Sequence, residues 1–368
     1  MRIRRTLPIA LVVVMVAAAV TLTVELRKAA PPEPARLLPG ADAFVYADFS
    51  WVRKAYAGKS LFTDSHNSDA YESGSHNPVA HGPEHDPEYE RFIQDTGFDF
   101  ERDLDAVAFA VHYPQSWPGG GTGGPAPEAR FSEVFTGRFD QSKCVAYLKR
   151  TAQSVENYDS IDIFTIPIYG RSFRVAILGV DTVAASNHDD PAVIRGIVDR
   201  SRRLASPFGG PALLRHYYKR VQLASPIWIV ARVEPKAPGF ETWASVFSKP
   251  ADLVVSASYN PLHLPLRADV LHLRAEASAG SDEDAANITN NVSVFLTMFH
   301  SAEASVGSPG SDSDVKTLFD SLRVRQEGSR AVLVATLPVG IFHKLMESPE
   351  PAPEPEPPPP AKPAKRGK

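Results

Sequence analysis

Arg2, Arg4 and Arg5 precede an uncharged apolar run, Leu7–Val24, and a Pro-rich spacer follows at once. A helix crossing the hydrocarbon core needs about 20 apolar residues, with a lower limit near 17, and Leu7–Val24 sits at that limit. Arginines before such a run favour a cytoplasmic N-terminus. The remainder is therefore expected to fold on the periplasmic, extracytoplasmic side of a cell inner membrane, as a single-pass protein tethered by residues 1–28. The competing reading is a cleavable signal peptide, whose apolar core spans about 7–15 residues and ends at small residues. Ala17–Ala19 supply small residues, but Val20, Leu22 and Val24 carry the apolar character past them and favour the uncleaved signal anchor. Arg27 and Lys28 on the far side weaken the charge asymmetry. On either reading the folded part is exported.

An exported chain often relies on disulfides, yet Cys144 is the only cysteine among 368 residues. No intramolecular disulfide and no thiolate cluster can form, so core packing must hold the fold. The composition allows this: 43% of residues are hydrophobic and 9% aromatic, as in globular proteins. A formal net charge of -4 gives no reason to expect a nucleic-acid partner. Cys144 falls on the apolar face of a predicted helix with Val145 and Leu148, the setting of an inert buried thiol.

Residues 29–40 read as a Pro-rich linker. A strand begins at Ala43, and a polar stretch rich in His, residues 63–86, reads as a long loop. Pro87 opens a helix carrying Phe92 and Ile93. Strands follow at Asp105–Tyr113 and Glu133–Phe139, with a Gly/Pro loop between them. Asp140 or Ser142 caps a helix holding Val145, Leu148 and Ala152. Strands Ile161–Ile166, Ser172–Leu178 and Asp181–Ser186 come next, then a helix capped by Asp190 with Ile194, Ile197 and Val198 inside.

After a helical connection at Pro211–Arg220, the second half repeats this grammar. Strand Ile227–Val233, helix Gly239–Phe247, strands Asp252–Tyr259 and Asp269–Ala277 follow in order. Ser281–Asp284 forms a capping box before the stripe Ala285, Ile288, Val292, Phe295, Leu296 and Phe299. Helix Val315–Leu322, a hairpin of Leu322–Gln326 and Ala331–Leu337, and a helix opened by Pro338 complete it.

Strand-helix-strand-strand-helix-strand thus occurs twice, which is the split βαβ order. The expected fold class is α+β. It comprises two related units of antiparallel sheet with helices on one face, residues 41–225 and 226–348, preceded by one N-terminal transmembrane helix. Residues 349–368, almost wholly Pro, Glu, Ala and Lys, read as a disordered polyproline II tail.

His66, His76, His81 and His85 share the polar loop with Asp64, Asp69, Glu72, Glu84 and Asp86, a donor set suited to zinc, copper or nickel. Gly82-Pro83 breaks the helix that His81 and His85 would need to chelate together. Gly119–Gly124 lacks the Lys and Ser/Thr of a phosphate loop and is followed by Pro125 and Pro127. There is no Gly-x-Ser-x-Gly and no His-Glu-x-x-His. Asp189-Asp190 and Asp282–Asp284 sit where helix N-termini favour negative charge. The sequons at Asn287 and Asn291 fall in a predicted helix, and Tyr217, Tyr218, His216 and Trp228 read as core or boundary residues. No residue is assigned a catalytic, cofactor-binding or metal-binding role.

Three phrases carry a resemblance: Leu38–Ser50 (Leu-Pro-Gly-Ala-Asp-Ala-Phe-Val-Tyr-Ala-Asp-Phe-Ser), Phe135–Asp140 before a helix, and Ser321–Pro338 near the end. Together they resemble uncharacterised bacterial membrane-anchored envelope proteins. That resemblance implies a periplasmic or cell-surface setting and transfers no activity. The expected role is a non-enzymatic, membrane-tethered binding or scaffold protein with an envelope-protein or cell-wall partner. The alternatives are a metal- or ligand-binding sensor using the histidine loop and an unrecognised hydrolase.

Overall fold

The structure is a computed structural model that describes residues 30–55, 87–113, 130–168, 170–202, 209–235, 244–259, 270–306, 313–338 and 340–341. The strands are β1 (Ala43–Asp48), β2 (Leu104–His112), β3 (Arg130–Gly137), β4 (Ser154–Tyr158), β5 (Ile161–Ile168) and β6 (Arg171–Ile177). The series continues with β7 (Thr182–Ser186), β8 (Ile227–Val233), β9 (Ala251–Ser258), β10 (Val270–Ser278), β11 (Arg323–Glu327) and β12 (Arg330–Pro338). All twelve join one sheet in the order β11-β12-β10-β9-β8-β1-β2-β3-β7-β6-β5-β4, and every neighbouring pair is antiparallel.

This corrects the expectation of two split-βαβ units over 41–225 and 226–348. In that arrangement each helix joins two parallel strands that are split by a third strand inserted between them, and each unit closes its own separate sheet. Here β1, β2 and β3 form an antiparallel meander, and so do β8, β9 and β10. The two meanders then fuse, because β1 pairs directly with β8 from Ala43 opposite Ala231 to Ala47 opposite Ile227. The reason is visible in the two strands themselves. Ala-Phe-Val-Tyr-Ala and Ile-Trp-Ile-Val-Ala are apolar on both faces, the pattern of a strand covered above and below and unsuited to an exposed edge.

Helices also cover both faces rather than one. Successive side chains on a strand point to opposite sides. On the first face, Phe44, Tyr46, Ala108, Val134, Ala184 and Trp228 meet Ile194, Ile197 and Val198 of the Ala192–Arg202 helix and Leu214 of the Ala212–Tyr217 helix. Alanines 106, 108, 110, 176 and 184 keep this floor low, so that the helix packs close to the backbone. Tyr46 and Trp228 stack across the central β1–β8 pair at 5.4 Å.

The second face carries Phe135, Phe164, Val175, Val183 and Ala185 beneath Val145 and Leu148 of the Gln141–Thr151 helix. Further along the same face, Val233, Ala251, Ala277 and Ala331 pack on Ile288 of the Asp282–Val306 helix. Each large apolar side chain buried in this way contributes about 1.5–3 kcal/mol, and two such layers make up for the missing disulfide. Among the described residues no helix is long and apolar enough to cross a membrane. The expected transmembrane helix at Leu7–Val24 lies outside the described residues, as do the tail and most of the helices expected at Gly239–Phe247 and from Pro338.

Candidate functional site

One row of side chains crosses the whole second face in strict register. From β11 to β4 it runs Val324, Leu333, Ala275, Val255, Ile229, Val45, Phe109, Glu133, Ala185, Val175, Phe164 and Val155. Every member is apolar except Glu133. A carboxyl at such a position has no structural reason to be there, since a Val or Phe would pack better and cost nothing to desolvate.

Over this part of the row the sheet and its helices frame a half-open cavity of about 720 Å³. Phe109, Glu133, Phe135, Phe173, Val175 and Ala185 form the floor. Phe92 and Thr96 of the Pro87–Thr96 helix, with Cys144, Tyr147, Leu148 and Thr151 of the Gln141–Thr151 helix, form the roof. The roof helices meet through an edge-to-face contact of Phe92 and Tyr147 at 5.6 Å and an ion pair of Arg150 with Asp95. Asp140 caps the second of them, accepting from the Lys143 amide at 3.1 Å. Phe98 and Phe139 close one wall by stacking at 4.6 Å. Phe100 and Ile168, which also line the cavity, remain 43% and 41% exposed and mark its rim.

Gly137 holds the wall in place. A Cβ there would overlap the Asp103 carbonyl oxygen and lie 3.2 Å from the Phe98 ring. Only a glycine lets β3 pass this close to the Phe100–Asp103 turn, which the Arg138 amide then grips through the same carbonyl at 2.9 Å.

Burial alone pushes the Glu133 carboxyl up to about 7, with no hydrogen bond or neighbouring charge contributing. The threonine and cysteine side chains of the wall are committed. Thr96 Oγ1 donates to the Phe92 carbonyl at 2.7 Å and Thr151 Oγ1 to the Tyr147 carbonyl at 2.9 Å. Cys144 Sγ points at the Thr96 carbonyl, 3.9 Å away. Burial, aided by Asp140, raises this thiol and keeps it protonated, as expected for an inert cysteine. Among the described residues no Lys, Arg or His lines the cavity, and Glu133 is its one carboxyl.

Two other places hold chemistry-bearing side chains. A second concavity of about 500 Å³ lies at the end of the central strands, bordered by Trp51, Tyr259 and the Val221–Pro226 loop. Two of its polar groups already serve the fold: Asp48 accepts from Ser50 Oγ and the Trp51 amide, and Gln222 Oε1 accepts from Ser258 Oγ at 3.1 Å. On the first face, His112 Nε2 lies 3.4 Å from Ser132 Oγ, which is 2.9 Å from Ser186 Oγ. This resembles a nucleophile–base pair in composition only. Ser132 is 0% exposed and Ser186 1%, so the cluster is a polar tie between β2, β3 and β7 with no path for a substrate.

The residues that the sequence singles out for chemistry fall elsewhere. His66, His76, His81, His85 and Gly119–Gly124 lie outside the described residues. Among the described residues no group of three or more His, Cys, Asp or Glu is placed to hold a metal. Asp190 accepts from the Ala192 amide at 2.8 Å, and the Asp284 amide donates to Ser281 Oγ at 3.1 Å while its carboxylate pairs with Lys249. Those acidic runs begin helices. Trp228 is core at 1% exposure, and Tyr217 donates to Asp252 at 2.5 Å.

Glu133 is the residue that sequence reasoning misses. The apolar run puts the strand's start at Glu133, making it an end residue; β3 begins three residues earlier, at Arg130. The signal available is the alternation Phe131, Glu133, Phe135, which puts a carboxyl in an apolar register. Ser132, Val134 and Thr136 alternate equally well, so the pattern does not choose the face.

No protein-family model matches the chain, and no curated protein matches it. It is similar in shape to crystal form III of TP0453, with a TM-score of 0.43 and 10% identity, over 86% of this chain and 98% of that one. Crystal form IV of TP0453 gives a TM-score of 0.41 at 10% identity, over 86% and 98%. Crystal form I gives 0.35 at 9% identity, over 85% and 96%. Likenesses this distant carry no functional argument.

Proposed function

We propose that this chain is an extracytoplasmic, membrane-tethered binding protein without catalytic activity, and that its ligand is an apolar, lipid-like small molecule held on the second face of the sheet. The observation that carries this reading is the cavity of about 720 Å³ lined by aromatic and aliphatic side chains with one carboxyl among them. Sites for small molecules occupy about 300–1,000 Å³ and combine apolar walls with few polar groups. The expected anchor at Leu7–Val24 would hold the site next to a bilayer, where apolar ligands are concentrated.

The magnitudes suit reversible binding. Each CH₂ buried contributes about 0.8 kcal/mol, so a chain of about twelve carbons gains about 9 kcal/mol. Association costs of about 4 kcal/mol or more offset part of that, leaving affinities of about 0.1 mM or weaker.

The test is ligand recovery. The full chain and an Ala185→Phe variant, which fills the floor beside Glu133, are purified from membranes in parallel and extracted with organic solvent. Mass spectrometry is expected to find an apolar compound enriched with the native chain relative to the variant. Equal extracts from both proteins would reject the proposal.

A further inference from the structure

We infer that the ligand is a single-chain amphiphile with an amine head, its ammonium group set against Glu133 and its hydrocarbon against the aromatic walls. This rests on the binding reading above and sharpens it.

The argument is one of charge complementarity. Glu133 stands in the floor with Phe109 and Ala185 as its cross-strand neighbours, and among the described residues no Lys, Arg or His lines the same cavity. An anionic head, such as a fatty-acid carboxylate, would either meet an ionised Glu133 as like charge or hold it protonated, and in both cases its own charge would be desolvated with no cation to compensate it. A head with no hydrogen-bonding group would leave the carboxyl buried and unpaired. The threonine hydroxyls of the roof donate to their own helix, so they leave the carboxyl to the ligand.

An amine satisfies both demands. If the carboxyl enters the complex protonated, its proton passes to the neutral amine and an ion pair results. If it enters ionised, the ammonium arrives already charged. Either route ends in the same neutral pair, with protons balanced. A charge-assisted hydrogen bond of this kind is stronger than one between neutral partners, which separates an amine from an alcohol of equal chain length.

The experiment uses the full chain in phosphatidylcholine nanodiscs, with three diazirine-bearing probes of equal length: an alkylamine, an alkanol and an alkanoate. After irradiation, crosslinks are mapped by peptide mass spectrometry to the segments carrying Tyr147 and Phe173. The amine is expected to label these segments at least about tenfold more than the alkanoate. In Glu133→Gln that ratio is expected to fall to within about twofold, with the alkanol still labelling the same segments. Alkanoate labelling equal to amine labelling in the native chain, or a ratio that survives in Glu133→Gln, overturns the amine assignment but leaves the binding reading standing. Absence of cavity labelling by all three probes overturns both.

Discussion

Glu133 on β3 lies in register with Phe109 on β2, so a carboxyl occupies the place where the rest of its row carries hydrocarbon. The fold tolerates the cost of burying it, and a ligand would remove that cost. This pairing has measurable consequences even without a ligand.

The first concerns pH. Between the ordinary 4.5 and about 7 the folded protein keeps the Glu133 proton that the unfolded chain has released. Stability attributable to this group therefore falls as pH rises through that window and is level above it. Glu133→Gln is expected to match the native chain near pH 4 and to exceed it near pH 8 by at most about 3 kcal/mol. Solvent entering through the rim reduces that figure. Urea unfolding followed by tryptophan fluorescence at the two pH values measures it, and equal stability at both would contradict the buried placement.

His112 has the opposite sign. Burial first, then His188 and Arg130, lower its imidazole from 6.5 to about 4. The unfolded chain binds the proton before the folded one does, so this stability is present above about 6.5 and is lost as pH falls toward about 4. In His112→Gln the fall in unfolding free energy between pH 7 and pH 4.5 should be smaller than in the native chain. The Glu133 and His112 contributions run against each other in the shared window, and only the two single variants resolve them.

Two glycines should respond in opposite directions. Gly137→Ala drives a methyl into the Asp103 carbonyl and is expected to cost about 1–3 kcal/mol, the range for overpacking. Gly196, inside the Ala192–Arg202 helix, has only the Arg200 guanidinium near its missing Cβ, at 3.5 Å. Gly196→Ala should therefore stabilise by up to about 1 kcal/mol through helix propensity. Thermal melts of both variants check the pair.

The roof supplies a graded test. Asp140→Ala removes the N-cap of the Gln141–Thr151 helix and should cost about 1 kcal/mol. Asp95→Asn breaks the solvent-exposed ion pair with Arg150 and should cost less, about 0–1 kcal/mol. Hydrogen exchange at the roof amides is expected to quicken more in the first variant than in the second.

Local structure was legible wherever a local rule governs it. Strand β8 occupies Ile227–Val233, the segment that its apolar run predicts. The caps at Asp140, Asp190 and Ser281 follow from short polar side chains ahead of apolar stripes, as their hydrogen bonds confirm. Strand β4, Ser-Val-Glu-Asn-Tyr, was not legible. It is a half-exposed edge strand, and its polar composition suits a solvated edge while concealing it from any hydrophobic pattern.

What the amino-acid order alone determined is therefore most of the strands and helices, because turns, caps and alternation act over a few residues. Whether those pieces make two sheets or one was decided when β1 met β8, with β2 to β7 lying between them in the chain. That is a choice among similar apolar strands that only simultaneous packing of both faces resolves. The same holds for Glu133. Its alternation with Phe131 and Phe135 is written in the chain, but the cavity around it exists only because two helices from separate segments bridge the sheet without filling the space beneath them.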